Sequence, residues 1–280
     1  MIKKHLYLLF NCYGFNMSKR PHLLITNDDG IYAPGIRHLW NALKDFADIT
    51  IVAPATEQSA VGVSITVRNP LRLHQVEWAG QTQAWSLTGT PADCVKMGLK
   101  VILDKKPDLI VSGINRGSNA GRNLMYSGTV GGTIEGIIQG VPGIAFSCVD
   151  YFNTDYQKVE HYVPLLVDYV VKHPLPSGSL LNVNFPTYQH EIKGFKLTRQ
   201  GKEFWAEDPL ERNHPAEGHS YYWLGAKLQQ FEEHEDSDIS WLARGYIAAV
   251  PVHVGELTDL AHLNEAKSHF EDHLNLQTEP

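Results

Sequence analysis

Two adjacent aspartates, Asp28 and Asp29, end the apolar run "HLLIT" in the stretch "HLLITNDDGIY". Neighbouring carboxylates repel each other unless they are solvated or bound to a cation, so this pair could hold a metal ion. Asn-Asp-Asp-Gly is also an ordinary turn composition, because Asn and Asp favour turns and Gly accepts positive φ angles. The stretch alone leaves both interpretations open.

Further oxygen ligands follow two other apolar runs of the chain. Ser59 lies in the loop after "DITIVAP", and Asn115 ends "PDLIVSGIN". Carboxylate, hydroxyl and amide oxygens suit Mg²⁺ or Mn²⁺. If these runs are neighbouring strands, Asp28, Asp29, Ser59 and Asn115 converge on a site for one divalent cation.

A glycine-rich segment, "GINRGSNAGRNLMYSGT", leads into the next predicted helix. Ser127, Gly128 and Thr129 stand at the start of that helix, where exposed N–H groups attract an anion. A phosphate bound there would lie beside the metal, which predicts phosphoryl transfer to water. The glycines are equally compatible with close packing of the helix on a sheet.

The elements that must position these residues alternate between strand and helix. Short apolar runs are typical of strands buried on both faces, and helical spacing separates them. This alternation predicts an α/β fold, with a mostly parallel sheet and helices on both faces. Ligands bind such sheets outside the carboxyl ends of the strands, where the candidate ligands lie. Helices are predicted at 90–103, 129–140 and near 155–172, and a hairpin at 69–89.

Composition and charge disfavour several classes of partner and enzyme. A net charge of −7 without a basic block argues against a nucleic-acid polymer or an anionic membrane as partner. Three widely spaced cysteines without C-x-x-C indicate a reducing cytoplasm. The absence of the dinucleotide, P-loop and G-x-S-x-G motifs disfavours a dehydrogenase, a P-loop NTPase and a serine hydrolase.

The chain divides into three predicted regions. Residues 1–20 are predicted to be a disordered or upstream-start extension, because Met17 offers a second start just before the first strand. Residues 21–195 form the predicted catalytic core. From 196 to 280 the composition becomes polar, acidic and loop-rich, which predicts an extension from the sheet used for packing or assembly.

Five motifs in this order resemble the SurE family, the stationary-phase survival nucleotidases. They are "ITNDDGIYAPGI", "VAPATEQSAVG", "LTGTPADCVKMGL", "PDLIVSGINRGSNAGRNLMYSGTVGGTIEG" and "LLNVNFP". The resemblance covers about residues 21–255. It implies a Rossmann-like core and a C-terminal hairpin and helix arm exchanged between subunits of a homodimer or homotetramer. The implied activity is metal-dependent hydrolysis of nucleoside 5′- and 3′-monophosphates, with short polyphosphate as a further candidate substrate.

The resemblance also implies roles for single residues and one Mg²⁺ or Mn²⁺ per subunit. The metal ligands of the family fall on Asp28, Asp29, Ser59 and Asn115, and the two aspartates also orient the attacking water. Its phosphate-side residues correspond to Asn27, Gly113, Ser127, Gly128 and Thr129.

The chain departs from the family pattern at three places. Ala60 and Gly131-Gly132 stand where the family often has Gly and alanines, and "AAVPVHV" replaces its late S-x-T-P-L motif. The first two departures leave the metal ligands intact. The third bears on the details of the C-terminal arm, and therefore on the subunit assembly that the resemblance implies.

Two other functions remain open from the sequence. One is a non-catalytic sensor that binds a metal or a nucleotide on the same fold. The other is a sugar-nucleotide enzyme in which Asp28 and Asp29 bind a metal-diphosphate. No histidine stands out as a general acid.

Overall fold

The structure, a computed structural model, describes residues 20–206, 208–225 and 227–275. The predicted N-terminal extension lies outside the described residues, apart from Arg20. The strands are β1 (His22–Thr26), β2 (Asp48–Pro54), β3 (Leu73–Gln75), β4 (Gln83–Leu87), β5 (Leu109–Arg116), β6 (Gly143–Cys148), β7 (Ser179–Phe185), β8 (Phe195–Leu197), β9 (Phe204–Ala206), β10 (Leu210–Asn213), β11 (Ser220–Trp223), β12 (Lys227–Gln229) and β13 (Ile247–His253).

Nine of the strands in the described ranges form one sheet in the order β3-β4-β2-β1-β5-β6-β7-β13-β8. The central strands β2, β1, β5, β6 and β7 run parallel, which confirms the predicted mostly parallel sheet. Thr26 pairs with Ser112, and Ile25 with Ile51. The residues after β1, after β2 and at the end of β5 therefore meet at one edge of the sheet.

The hairpin predicted at 69–89 is confirmed, because β3 and β4 pair antiparallel. It is also part of the main sheet, since β4 pairs parallel with β2. The hairpin therefore extends the sheet beyond β2.

Helices cover both faces of the sheet, as the alternating pattern predicted. They are α1 (Pro34–Leu43), α2 (Pro91–Met97), α3 (Gly128–Ile138), α4 (Tyr156–Val159), α5 (Val163–Lys172), α6 (Asp238–Ala243) and α7 (Leu260–Asn275). A π-helical turn, Gly98–Ile102, continues α2, and a 3₁₀ helix, Gly121–Tyr126, precedes α3. On one face, Leu23 and Ile25 of β1 pack in a core that includes Leu39 of α1. On the other, Leu24 packs with Val95 of α2.

Two predicted helices show how local chemistry sets their limits. Thr90 begins α2 with a capping box, in which its hydroxyl accepts from Asp93 N and the Asp93 carboxylate accepts from Thr90 N. The single helix predicted near 155–172 is instead the pair α4 and α5. Pro164 lies in the first turn of α5, where its missing N–H is tolerated, and it cannot continue a helix from α4.

The region after residue 195 contributes both to the sheet and to a projecting arm. Strand β13 pairs antiparallel with β7 and parallel with β8, so the sheet takes strands from both sides of the predicted boundary. Strands β9 to β12 form two separate two-stranded ladders, β10-β11 and β12-β9. Helix α7 has no buried residue. Among the helices described, none has both the length and the apolar character needed to cross a membrane.

Candidate active site

The Asp28 carboxylate lies against the N-terminus of α3. Thr129 N donates to Asp28 Oδ2 at 3.0 Å, and the Thr129 hydroxyl donates to Asp28 Oδ1. A Cβ on Gly128 would stand 2.8 Å from Asp28 Cβ, so glycine is required for this approach. The positive end of the helix dipole thus faces a buried carboxylate.

Asp29 is half-buried beside Asp28, and its Oδ2 accepts from Arg116 N at 3.2 Å. Burial and then the neighbouring charge of Asp28 raise the pKa of Asp29 to about 7. Burial also raises the pKa of Asp28, although the hydrogen bonds from Thr129 oppose this. Within the described ranges, no basic side chain forms a salt bridge with either carboxylate. The charge of Arg116 lowers the pKa of Asp29 only in part, so the pair has room for the stronger counter-charge of a divalent cation.

The loop after β2 is attached directly to the aspartate pair. Gln58 N donates to Asp28 O at 2.7 Å. The Ser59 side chain is exposed, and its hydroxyl donates to Glu57 Oε1 at 2.6 Å. The charge of Glu57 contributes to the raised pKa of both aspartates, which places a third carboxylate near them. Glu57 is not among the residues predicted from the sequence, and the available signal was an acidic residue two positions before Ser59.

Asn115 closes the same edge of the sheet from β5. Its Nδ2 donates to Gly117 O at 2.8 Å, which leaves the side-chain carbonyl as the atom able to bind a cation. The pairing of β5 with β6 shifts register between Ser112 and Asn115. At Gly113, which has a φ of 127°, a Cβ would lie 2.4 Å from Phe146 O. Glycine is therefore required there by packing against β6.

The predicted phosphate-side residues are buried and mostly engaged within the protein. Ser127 begins α3, and its hydroxyl accepts from Val130 N at 3.1 Å. Thr129 is bound to Asp28, as described above. Asn27 Nδ2 donates to Gly30 O at 2.9 Å, whereas Asn27 Oδ1 is buried without a hydrogen-bond partner in the described part of the chain. Phosphate binding by these residues stays a prediction.

Arg116 is a basic residue at this edge that sequence analysis did not select. Its guanidinium lies 3.6 Å from Glu57 Oε2 and 4.6 Å from the centre of the Tyr151 ring. Both Arg116 and Asp29 line an open cavity of about 400 Å³. The available signal was its position directly after Asn115.

Three side chains of types that can bind a metal lie together in the turn between β10 and β11. Ligand atoms of His214, Glu217 and His219 lie within 4.8 Å of one another. Glu217 and His219 are exposed, and the turn is outside the main sheet. This group is distinct from the aspartate site.

Comparisons with known proteins agree with this arrangement. The family model described as "Survival protein SurE" matches residues 23–207. The "5'-nucleotidase SurE" of Protochlamydia amoebophila is 56% identical over 261 residues, which are 92% of this chain and 100% of that protein. The "5'-nucleotidase SurE" of Christiangramia forsetii is 43% identical over 84% of this chain and 91% of its own. The crystal structure of the SurE protein from Aquifex aeolicus superposes with a TM-score of 0.76 at 38% identity, covering 89% of this chain and 100% of that one.

Proposed function

This chain belongs to the SurE family, and from that premise we propose that it is a metal-dependent 5′-nucleotidase. It is a phosphoric monoester hydrolase that converts nucleoside monophosphates to nucleoside and phosphate. The observation that carries the proposal is the Asp28–Asp29 pair after β1, which no salt bridge neutralises among the described residues and whose pKa values are both raised. Such a pair beside a helix N-terminus suits a cation and the phosphate that the cation attracts.

The proposed cofactor is one divalent cation per subunit, Mg²⁺ or Mn²⁺, held by Asp28, Asp29, Ser59 and Asn115. The donor set fits a hard cation because all four side chains offer oxygen. The Ser59 hydroxyl donates its proton to Glu57, which leaves the oxygen lone pairs free for the cation. When bound, the cation polarises a phosphoryl oxygen and lowers the pKa of the attacking water.

The chain's own residues orient the two carboxylates and provide positive charge. Thr129 holds both oxygens of Asp28, and the Arg116 backbone N–H holds Asp29. The Arg116 side chain lines the cavity and can approach an anionic substrate there. Asn27, Gly113, Ser127 and Gly128 are proposed to shape the backbone around the phosphate.

The proposal also covers the range of substrates, the assembly of subunits and the cellular compartment. We extend the substrates to nucleoside 3′-monophosphates and short polyphosphate. Exposed aromatic side chains on the ladders β9 to β12, such as Trp205 and Trp223, favour a homodimer or homotetramer formed through the arm. The free, buried Cys94 and Cys148 are consistent with the cytoplasm.

Phosphate release from AMP and GMP with Mg²⁺ or Mn²⁺, repeated with excess EDTA, tests the function. We expect hydrolysis with metal and none after chelation. Activity that survives exhaustive chelation would refute the metal mechanism. Binding of AMP without turnover would indicate a sensor, and hydrolysis of sugar nucleotides but not of monophosphates would indicate the diphosphate enzyme.

A further inference from the structure

The loop between β6 and α4 places two aromatic side chains at the cavity beside Asp29. Phe152 is 91% exposed and Tyr151 is 48% exposed, and both line the cavity. A phenylalanine so fully exposed gains nothing from burial in the fold. Its position therefore suits contact with something that enters the cavity.

Hydrogen bonds fix both ends of this loop. Asp150 Oδ1 accepts from the Thr187 hydroxyl at 2.7 Å, and Asp150 Oδ2 accepts from Tyr188 N at 2.6 Å. The Thr154 hydroxyl donates to Asp150 O at 2.7 Å, which closes the loop on itself. Phe152 thus projects from an anchored segment.

Tyr151 supports Phe152 from one side and contacts Arg116 on the other. The Tyr151 and Phe152 rings meet edge to face, with centroids 5.1 Å apart and planes at 82°. The Arg116 guanidinium lies 4.6 Å from the centre of the Tyr151 ring. A continuous path therefore runs from Asp29 through Arg116 to the two aromatic rings.

We propose that Phe152, held in place by Tyr151, is the surface on which the nucleobase of the substrate stacks. A mononucleotide whose phosphate lies beside the proposed metal site and within reach of Arg116 would direct its base away from the charged end of the cavity, towards these rings. Aromatic side chains stack on every base because each base has a π face. Phe152 has no polar group, so it favours nucleotides over base-free phosphates without selecting one base. The inference rests on the proposed nucleotidase function and names its specificity determinant.

The test compares AMP with ribose 5-phosphate, which lacks the base, in the wild-type full-length protein and in single variants. Phe152→Ala is expected to raise KM for AMP about tenfold and to leave kcat/KM for ribose 5-phosphate unchanged. Phe152→Trp restores a stacking face and is expected to keep the wild-type KM for AMP. Tyr169→Ala removes another exposed aromatic ring, which lies on α5 and does not line the cavity, and serves as the control.

The outcomes separate this inference from the proposed function. Equal effects of Phe152→Ala on the two substrates, or no effect on either, would overturn the stacking surface while leaving the phosphatase intact. If the wild-type protein hydrolyses neither substrate, the proposed function fails. In that case, calorimetric titration with AMP tests the stacking surface separately. Weaker binding of AMP by Phe152→Ala than by wild type supports it. Equal binding by wild type and variant, or no binding, overturns it.

Discussion

Asp28 accepts both the backbone N–H and the side-chain hydroxyl of Thr129, which lies 101 residues later in the chain. This contact joins the end of β1 to the first turn of α3. The orientation of a proposed metal ligand thus depends on where a distant helix begins. Thr129, predicted as a phosphate contact, is in the structure a partner of Asp28.

Removal of the Thr129 hydroxyl should weaken metal binding more than it weakens the fold. Thr129→Val keeps the branched shape and the backbone N–H, and Thr129→Ser restores the hydroxyl. Loss of a residue that orients a metal ligand typically lowers metal affinity about 10- to 100-fold. Titration of activity with Mg²⁺ should show a raised half-saturation for Thr129→Val and a value near wild type for Thr129→Ser. Identical half-saturation in all three proteins would contradict this role.

Asp28→Asn should abolish hydrolysis and the stabilisation that metal provides. A ligand that binds only the folded state raises its stability by about 2.7 kcal/mol at 100 times its Kd. The melting temperature of the wild-type protein should therefore rise with Mg²⁺ and fall back when EDTA is added. The melting temperature of Asp28→Asn should not change with Mg²⁺. The control is Asp48→Asn, an exposed residue at the start of β2 and thus at the opposite ends of the strands from the site, and it should keep the full shift. With Mn²⁺, a His214→Gln variant separates any contribution of the β10–β11 turn.

The aspartate pair could be predicted from sequence because an apolar strand with polar residues at its end is a local pattern. The side chains that contact the pair could not be predicted in this way. The contact of Thr129 with Asp28 depends on the packing of α3 against β1, which no short-range pattern encodes. Glu57 lies in a loop and Arg116 ends β5, and neither charged side chain stands out as part of a site until the order of the strands is known. Similarly, the antiparallel position of β13 beside β7 depends on tertiary packing.

Gly128→Ala should disturb the site because the new methyl would meet Asp28 on one side and Gln58 O, at 3.1 Å, on the other. We expect a loss of unfolding free energy of about 1–3 kcal/mol, as for other overpacked positions, and a large fall in kcat/KM. Gly132→Ala, one turn later on α3, is the matched control. Its Cβ meets only the Thr26 methyl at 3.0 Å and more distant atoms of Pro91. If Gly128→Ala retains full activity, the close packing around Asp28 is not needed for turnover.

Ala60→Gly should stabilise the loop that carries Ser59. Ala60 has a φ of 58°, the left-handed region that costs an alanine about 1–2 kcal/mol and a glycine little. Glycine also gains entropy in the unfolded chain, so the expected net gain in unfolding free energy is below about 1 kcal/mol. Urea denaturation of the two proteins measures it. A lower midpoint for Ala60→Gly would show that the left-handed backbone is not a source of strain here.

The buried Asp238 carboxylate should make stability depend on pH. Its oxygens accept from Gly121 N at 2.9 Å and Gly201 N at 2.8 Å, so it links the segment before α3 to the base of the arm. Burial raises the pKa of Asp238 above its ordinary value of 3.8 despite these bonds. As pH rises above about 4, the unfolded chain loses this proton before the folded protein does, so the contribution of Asp238 to stability falls. Asp238→Asn removes that contribution, and its melting temperature should rise relative to wild type between pH 4 and pH 7. Ser237→Ala keeps the carboxylate, so its melting temperature should differ from that of wild type by the same amount over this pH range. If the melting temperature of Asp238→Asn also differs from wild type by a constant amount, the pKa of Asp238 is not raised.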